Sequence, residues 1–300
     1  MRSSYPSMPR KSYSPAVFWL VPLLLSIAAS TRADAPESLT ILNARVESSE
    51  DAPSAPPDYE FLPGDFLYFQ FEVSGFKIGG NEYNGPRTIS LAYDIEARDS
   101  QGVLLAPPEK GTIQEEVAPQ DKDWTPKRRA SFLLPSYPAY QECRLSLTVN
   151  DLLAKSTTHR EFPFILAGTK IESPVSLAIQ NVRFLRSNED GPGLQVVAYR
   201  PGDTVWARFD MTGFQLGPHN LVELSYDVTV RRPDGKVIFH RENAARQKLE
   251  GLFYPPQVVP GVLSVTTTPD LQHGEYIFII LLKDEIARKN IEVERKVDLE

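Results

Sequence analysis

The sequence predicts an all-β protein: two tandem antiparallel β-sandwich domains behind an N-terminal targeting segment. Three observations carry this. A Pro-Gly-Asp turn opening into an aromatic strand that closes on Gly-Phe occurs twice, at Pro63–Phe76 and Pro201–Phe214. The spacing is 138 positions, from Pro63 to Pro201 and again from Gly75 to Gly213. Apolar residues within each copy alternate with a period of two, as in strands with one buried face. Finally, 26 prolines and 17 glycines suit many short strands joined by turns better than they suit helices.

The first 33 residues read as a secretory signal peptide. Arg2, Arg10 and Lys11 form a basic start, Val17–Ala29 is an apolar run, and Thr31-Arg32-Ala33 offers a small-residue exit. An uncleaved N-terminal anchor is the alternative, although the run is short for a span of roughly 20 residues. Removing residues 1–33 takes away four basic residues and no acidic one, so the formal charge goes from −7 to −11. Such an acidic chain repels nucleic acid and anionic membrane, so neither is an expected partner. Cys143 is the sole cysteine and forbids an internal disulfide, leaving burial to hold the fold. The reading is of a secreted or periplasmic protein with no membrane insertion after cleavage.

After a polar lead at 34–37, the first module spans 38–166, a linker 167–175 and the second module 176–300. Leu39–Val46 and Leu177–Phe184 are the first strands, each leading into an acidic, proline-bearing loop, with Glu50-Asp51 in one and Glu189-Asp190 in the other. In the signature strands Leu67, Phe69, Phe71 and Val73 share a face, matched by Val205, Ala207, Phe209 and Met211. A longer loop at 77–87 in the first copy then shortens the spacing to 133, from Tyr93 to Tyr226. Ile89–Ala97 and Val222–Val230 follow as strands. Residues 106–128 and 239–261 are mixed in charge and rich in proline, with short strands of poor definition. Hairpins close each copy, Cys143–Asn150 with Thr157–Leu166 and Tyr276–Lys283 with Asn290–Leu299. About seven strands per module are expected.

The Tyr199–Val205 run, with Val228-Thr229-Val230 and Pro233–Val237, resembles bacterial immunoglobulin-like modules and macroglobulin-type sandwiches. Tyr276 similarly resembles the tyrosine that opens the penultimate strand of such sandwiches. This resemblance implies a fold and brings no catalytic residue, and the thioester signature of full macroglobulins is missing.

Candidate chemistry is sparse. There is no Gly-x-Ser-x-Gly, no phosphate-cradling glycine loop and no His-Glu-x-x-His. His159, His219, His240 and His273 lack metal-ligand spacing. The acidic loops have the oxygen chemistry of calcium sites without a spaced ligand pattern. Cys143 shares a face with Leu145, Leu147 and Val149 and is a core thiol. No cofactor is expected.

Two groups of side chains are candidates for an interaction surface. Phe66, Tyr68 and Trp206 lie on the outward side of the signature strands. Ile277, Ile279 and Leu281 make the outer face of the second module's penultimate strand apolar, where the first module has Arg144, Ser146 and Thr148. That outer face should be covered: by the other module, a partner subunit or a ligand, or by the Leu252-Phe253-Tyr254 segment. The function expected is a non-catalytic exported binding or scaffold protein of the envelope. Its partner would be an envelope or extracellular protein, a glycan, or a second copy in a homo-oligomer. The alternative is a small glycan-active hydrolase with paired carboxylates between the modules.

Overall fold

The computed structural model describes residues 38–80, 86–118, 121, 124–171 and 176–300. The signal peptide and polar lead expected over 1–37 lie outside the described residues, as do 81–85 of the long first-copy loop and 172–175 of the linker.

The described chain is all β, its single helical piece being the 3₁₀ turn Pro218–Asn220. In the first repeat the strands are β1 (Thr40–Glu47), β2 (Glu60–Phe61), β3 (Phe66–Ser74), β4 (Thr88–Arg98), β5 (Glu109–Glu116), β6 (Lys127–Leu133), β7 (Gln141–Asp151) and β8 (Ser156–Leu166). The second repeat supplies β9 (Ala178–Leu185), β10 (Ala198–Tyr199), β11 (Thr204–Thr212), β12 (Val222–Arg231), β13 (Val237–Leu249), β14 (Val258–Thr266), β15 (Gly274–Asp284) and β16 (Lys289–Leu299). Each repeat thus has seven full strands and one two-residue strand. In both repeats this short strand pairs in parallel with the last strand, and every other named pairing is antiparallel.

Each repeat builds a three-stranded sheet, β1-β3-β6 or β9-β11-β14, and a five-stranded one, β2-β8-β7-β4-β5 or β10-β16-β15-β12-β13. Consecutive strands β3 and β4 belong to different sheets. The partition is that of an immunoglobulin-like sandwich, with the first, second and fifth full strands facing the rest. Alternation explains the packing, since inward residues of both sheets meet in one core. The first core holds Leu67, Phe69 and Phe71 against Leu91, Leu145 and Leu147. A second core holds Val205, Phe209 and Met211 against Tyr226, Phe278 and Ile280.

Repeated residues do repeated jobs. The glycine of each Gly-Phe pair has a left-handed backbone, φ 68° at Gly75 and 67° at Gly213. A Cβ on Gly213 would also fall 2.1 Å from the Ser176 carbonyl oxygen. Asp203 caps its own Pro-Gly-Asp turn by accepting the Arg200 N–H at 2.9 Å. The Tyr276 hydroxyl donates to the Gln272 carbonyl at 2.8 Å, closing the corner before β15 as its resemblance implied. In the stretches with little legible pattern, β5 and β13 are both edge strands whose side chains are largely exposed, so no strong alternation marks them.

Candidate binding surfaces

The acidic side chains are mostly committed to structure. Asp151 and Asp284, both buried, are placed 133 positions apart by the repeat. Asp151 accepts the N–H groups of Lys77 (2.6 Å), Leu153 (2.8 Å) and Ala154 (2.9 Å). Asp284 accepts those of Gln215 (2.7 Å), Ile286 (3.0 Å) and Ala287 (2.9 Å). Each carboxylate ties the loop after the signature strand to the turn of the closing hairpin. The acidic loops fold down onto their sheets: Arg129 pairs with Asp51 and Glu50, and Arg208 with Asp190. Among the described residues no group of three or more His, Cys, Asp or Glu could hold a metal ion. Cys143 is buried in the first core. Burial pushes its thiol up to about 12, and the Asp99 carboxylate adds to the shift.

The predicted surface residues have different surroundings. On β3, Phe66 is 47% exposed and its ring lies 6.2 Å from the half-buried Tyr68. Trp206 is half-buried on β11, between Leu185 and Ser264 of the neighbouring strands. On β15, Ile277 and Leu281 are half-buried and Ile279 is only 3% exposed. This face is closed by its own sheet. Ile279 sits between Thr229 and Glu294, and Arg231, opposite Ile277, bonds to Glu294 at 3.2 Å. Over Leu281, Lys283 reaches Asp227 at 2.8 Å.

Of the alternatives for covering that face, the Leu252-Phe253-Tyr254 segment is ruled out, because it crosses to the first repeat. Tyr254 is 5% exposed and belongs to the first repeat's core. Its hydroxyl donates to Asp99 at 2.9 Å and accepts from Gln141 (3.1 Å) and Gln257 (2.8 Å). Backbone contacts fix the segment further, with Gln257 N–H donating to the Tyr137 carbonyl at 2.9 Å and Ala139 N–H to the Gln257 side chain at 2.8 Å. Placing Tyr254 here leaves Phe253 outside, 51% exposed, beside Leu133, 55% exposed, in the wall of one cleft. Leu133 is in turn the ladder partner of Phe66. An exposed apolar strip, Phe66–Leu133–Phe253, therefore runs from one repeat to the other. Phe253 lies in the stretch 239–261, where no pattern is readable, and no local signal marks it or Leu133 as a surface residue.

Two polar hollows adjoin these features. Tyr68 borders one with Glu47, Glu50, Glu109 and Arg129. The cleft between the repeats is lined by Ser100, Gln101, Tyr140, Gln141, Phe214 and Gln257 among others, with no carboxylate among the described residues of its lining. Among the described residues, no helix is long and apolar enough to cross a membrane.

No family model matches the chain, and no curated protein matches it in sequence. Solved structures similar to it include the C-terminal domain of the AgI/II polypeptide BspA of Streptococcus agalactiae, at 12% identity and TM-score 0.29 over 85% of this chain and 98% of that one. The C-terminal domain of the antigen I/II-family protein AspA of Streptococcus pyogenes has 10% identity and TM-score 0.31, covering 88% and 99%. Elastase-activated Escherichia coli alpha-2-macroglobulin has 10% identity and TM-score 0.25, covering 89% of this chain and 22% of that one. With scores this low, the architecture rests on this chain's own ladders and cores.

Proposed function

We propose that the protein is an exported, non-catalytic binding or scaffold protein of the bacterial envelope, built from two immunoglobulin-like modules, that holds a protein partner on the Phe66–Leu133–Phe253 strip. The observation that carries the reading is the strip itself. Three large apolar side chains, each about half exposed, adjoin across the two repeats. Contiguous apolar surface of this kind marks interaction sites. The basic start and apolar run of residues 1–33 support export. Site-specific crosslinking from position 133 in the native envelope tests it. A defined crosslinked species, lost on Phe66→Lys and on Phe253→Lys, is expected; crosslinking that ignores both substitutions would remove the strip from consideration.

A glycan is the second reading, favoured by the hollow beside Tyr68. An aromatic ring next to carboxylates and an arginine offers a sugar both a stacking face and hydroxyl partners. Binding to a polysaccharide array that depends on Tyr68 and Glu109 but not on Phe253 would select this reading over the first.

A further inference from the structure

Both sandwiches have an opening at the same point, between the outermost strand of the large sheet and that of the small sheet. In the first repeat its walls are Leu105 and Ala106 on one side and Leu133 and Leu134 on the other. In the second, Ile238 and Phe239 face Val265–Thr268, with Tyr276 and Phe278 at the base. The ladders establish the equivalence. Phe66 pairs with Leu133 as Thr204 pairs with Thr266. Leu105 N–H bonds to the Ala97 carbonyl where Phe239 pairs with Val230. In neither repeat do the two flanking strands pair as a ladder, and only side chains bridge them further along, Arg128 to Glu115 at 2.6 Å and Gln247 to the Pro260 carbonyl at 2.7 Å.

The first opening is occupied. Leu252, Phe253, Tyr254 and Pro256 form its outer wall, and Tyr254 joins the core behind it. Among the described residues no segment plays this part in the second repeat, and Ile238 remains 37% exposed at its rim.

We propose that the groove between β13 and β14 is a docking site for a proline-flanked apolar loop of a separate protein, chemically like Leu252–Pro256. The chain itself shows which chemistry closes an opening of this shape. Three substitutions define how the second groove differs. Tyr276 stands where the first repeat has Cys143, so a ring already occupies part of the base from within. Arg232 and Gly274 stand where Asp99 and Gln141 hold the Tyr254 hydroxyl. A buried hydroxyl would lack those partners, so phenylalanine or leucine fits better than tyrosine. The chain's own Leu252–Pro256 segment is engaged on its first repeat, which points to another protein rather than a second copy. This site is independent of the Phe66–Leu133–Phe253 strip.

The test uses the full chain from residue 34 and a heptapeptide with the sequence of residues 251–257 carrying phenylalanine at its fourth position. Saturable NMR shifts at Ile238, Phe239 and Leu271 are expected, with affinity at least tenfold weaker in Ile238→Lys and at least threefold weaker for the native tyrosine peptide. Thr266→Arg at the exposed rim gives the same loss should Ile238→Lys unfold. Absence of shifts at these residues at millimolar peptide would overturn the proposal. So would shifts confined to Leu105 and Leu134, because the peptide would then be displacing the resident segment. Self-association of the unliganded chain that Ile238→Lys abolishes would place a second copy in the groove and overturn it as well.

Discussion

The hydroxyl of Tyr254 donates to the carboxylate of Asp99 at 2.9 Å, joining residues 155 positions apart and on opposite repeats. Asp99 also accepts the N–H groups of Gln101 (2.9 Å) and Val103 (2.8 Å), so its turn is built and the tyrosine received by one side chain. The two repeats are thereby coupled through a buried polar contact inside an apolar socket. Truncating the ring should uncouple them. Tyr254→Ala is expected to cost about 3–5 kcal/mol and to split one denaturant transition into two. Tyr254→Phe should cost about 1–2 kcal/mol and leave a single transition. Circular dichroism together with tryptophan fluorescence distinguishes these outcomes, and one unsplit transition for Tyr254→Ala would contradict the coupling.

The same contact sets an alkaline limit. Burial pushes the Tyr254 phenol well above its ordinary value, and the neighbouring Asp99 carboxylate adds to the shift. Because the folded-state value is raised, its contribution to stability is complete below the unfolded phenol value of about 10 and is lost as pH rises beyond it. The stability difference between the native chain and Tyr254→Phe should therefore shrink between pH 9 and pH 11. Tyr199, which burial pushes up to about 12, is present in both proteins and cancels in that difference.

Asp151 and Asp284 should behave as a matched pair. Replacing either with alanine leaves three backbone N–H groups without an acceptor, at an expected cost of about 3 kcal/mol. Hydrogen exchange should localise each effect to its own repeat, at Lys77 and Ala154 in one case and Gln215 and Ala287 in the other. A response that spread evenly over both repeats would show that the two carboxylates do not act locally.

Cys143 should resist modification. With its thiol pushed up to about 12, almost no thiolate exists at pH 8. A thiol reagent should react only as the first repeat opens, with a rate that rises with denaturant. Cys143→Ala should cost about 1–2 kcal/mol through lost burial and a small void. Fast labelling of the native chain would contradict both expectations.

Lowering the pH probes the outer face of the second repeat. Burial pushes the Asp227 carboxyl up, but the Lys283 ammonium and the Asn243 N–H outweigh it and hold the group below the ordinary carboxylate range. A depressed folded-state value means that its stabilisation is present above about pH 4 and is lost as pH falls through the acid range. Asp227→Asn should flatten this acid dependence, measured by thermal unfolding between pH 2 and pH 6.

Local pattern is enough to read the duplicated sandwiches, because a strand with one buried face must alternate and a left-handed turn requires glycine. Leu67 to Val73, Val205 to Met211 and the Gly75 and Gly213 turns are legible for that reason. Edge strands obey no such rule: β5 and β13 face water along most of their length, so their residues are free to be charged. Ile277, Ile279 and Leu281 mark a face that needs cover, and sequence spacing cannot reveal that Ile279 is buried between Thr229 and Glu294 of the two neighbouring strands. The passage of Tyr254 into the first repeat is a contact between residues far apart in the chain. The 133-position spacing already sets Cys143 against Tyr276, but only the folded arrangement shows that a tyrosine from the second repeat packs into the same core as that cysteine. A buried contact between distant segments is selected by the shape of the cavity it fills, and that shape exists only once both repeats have folded.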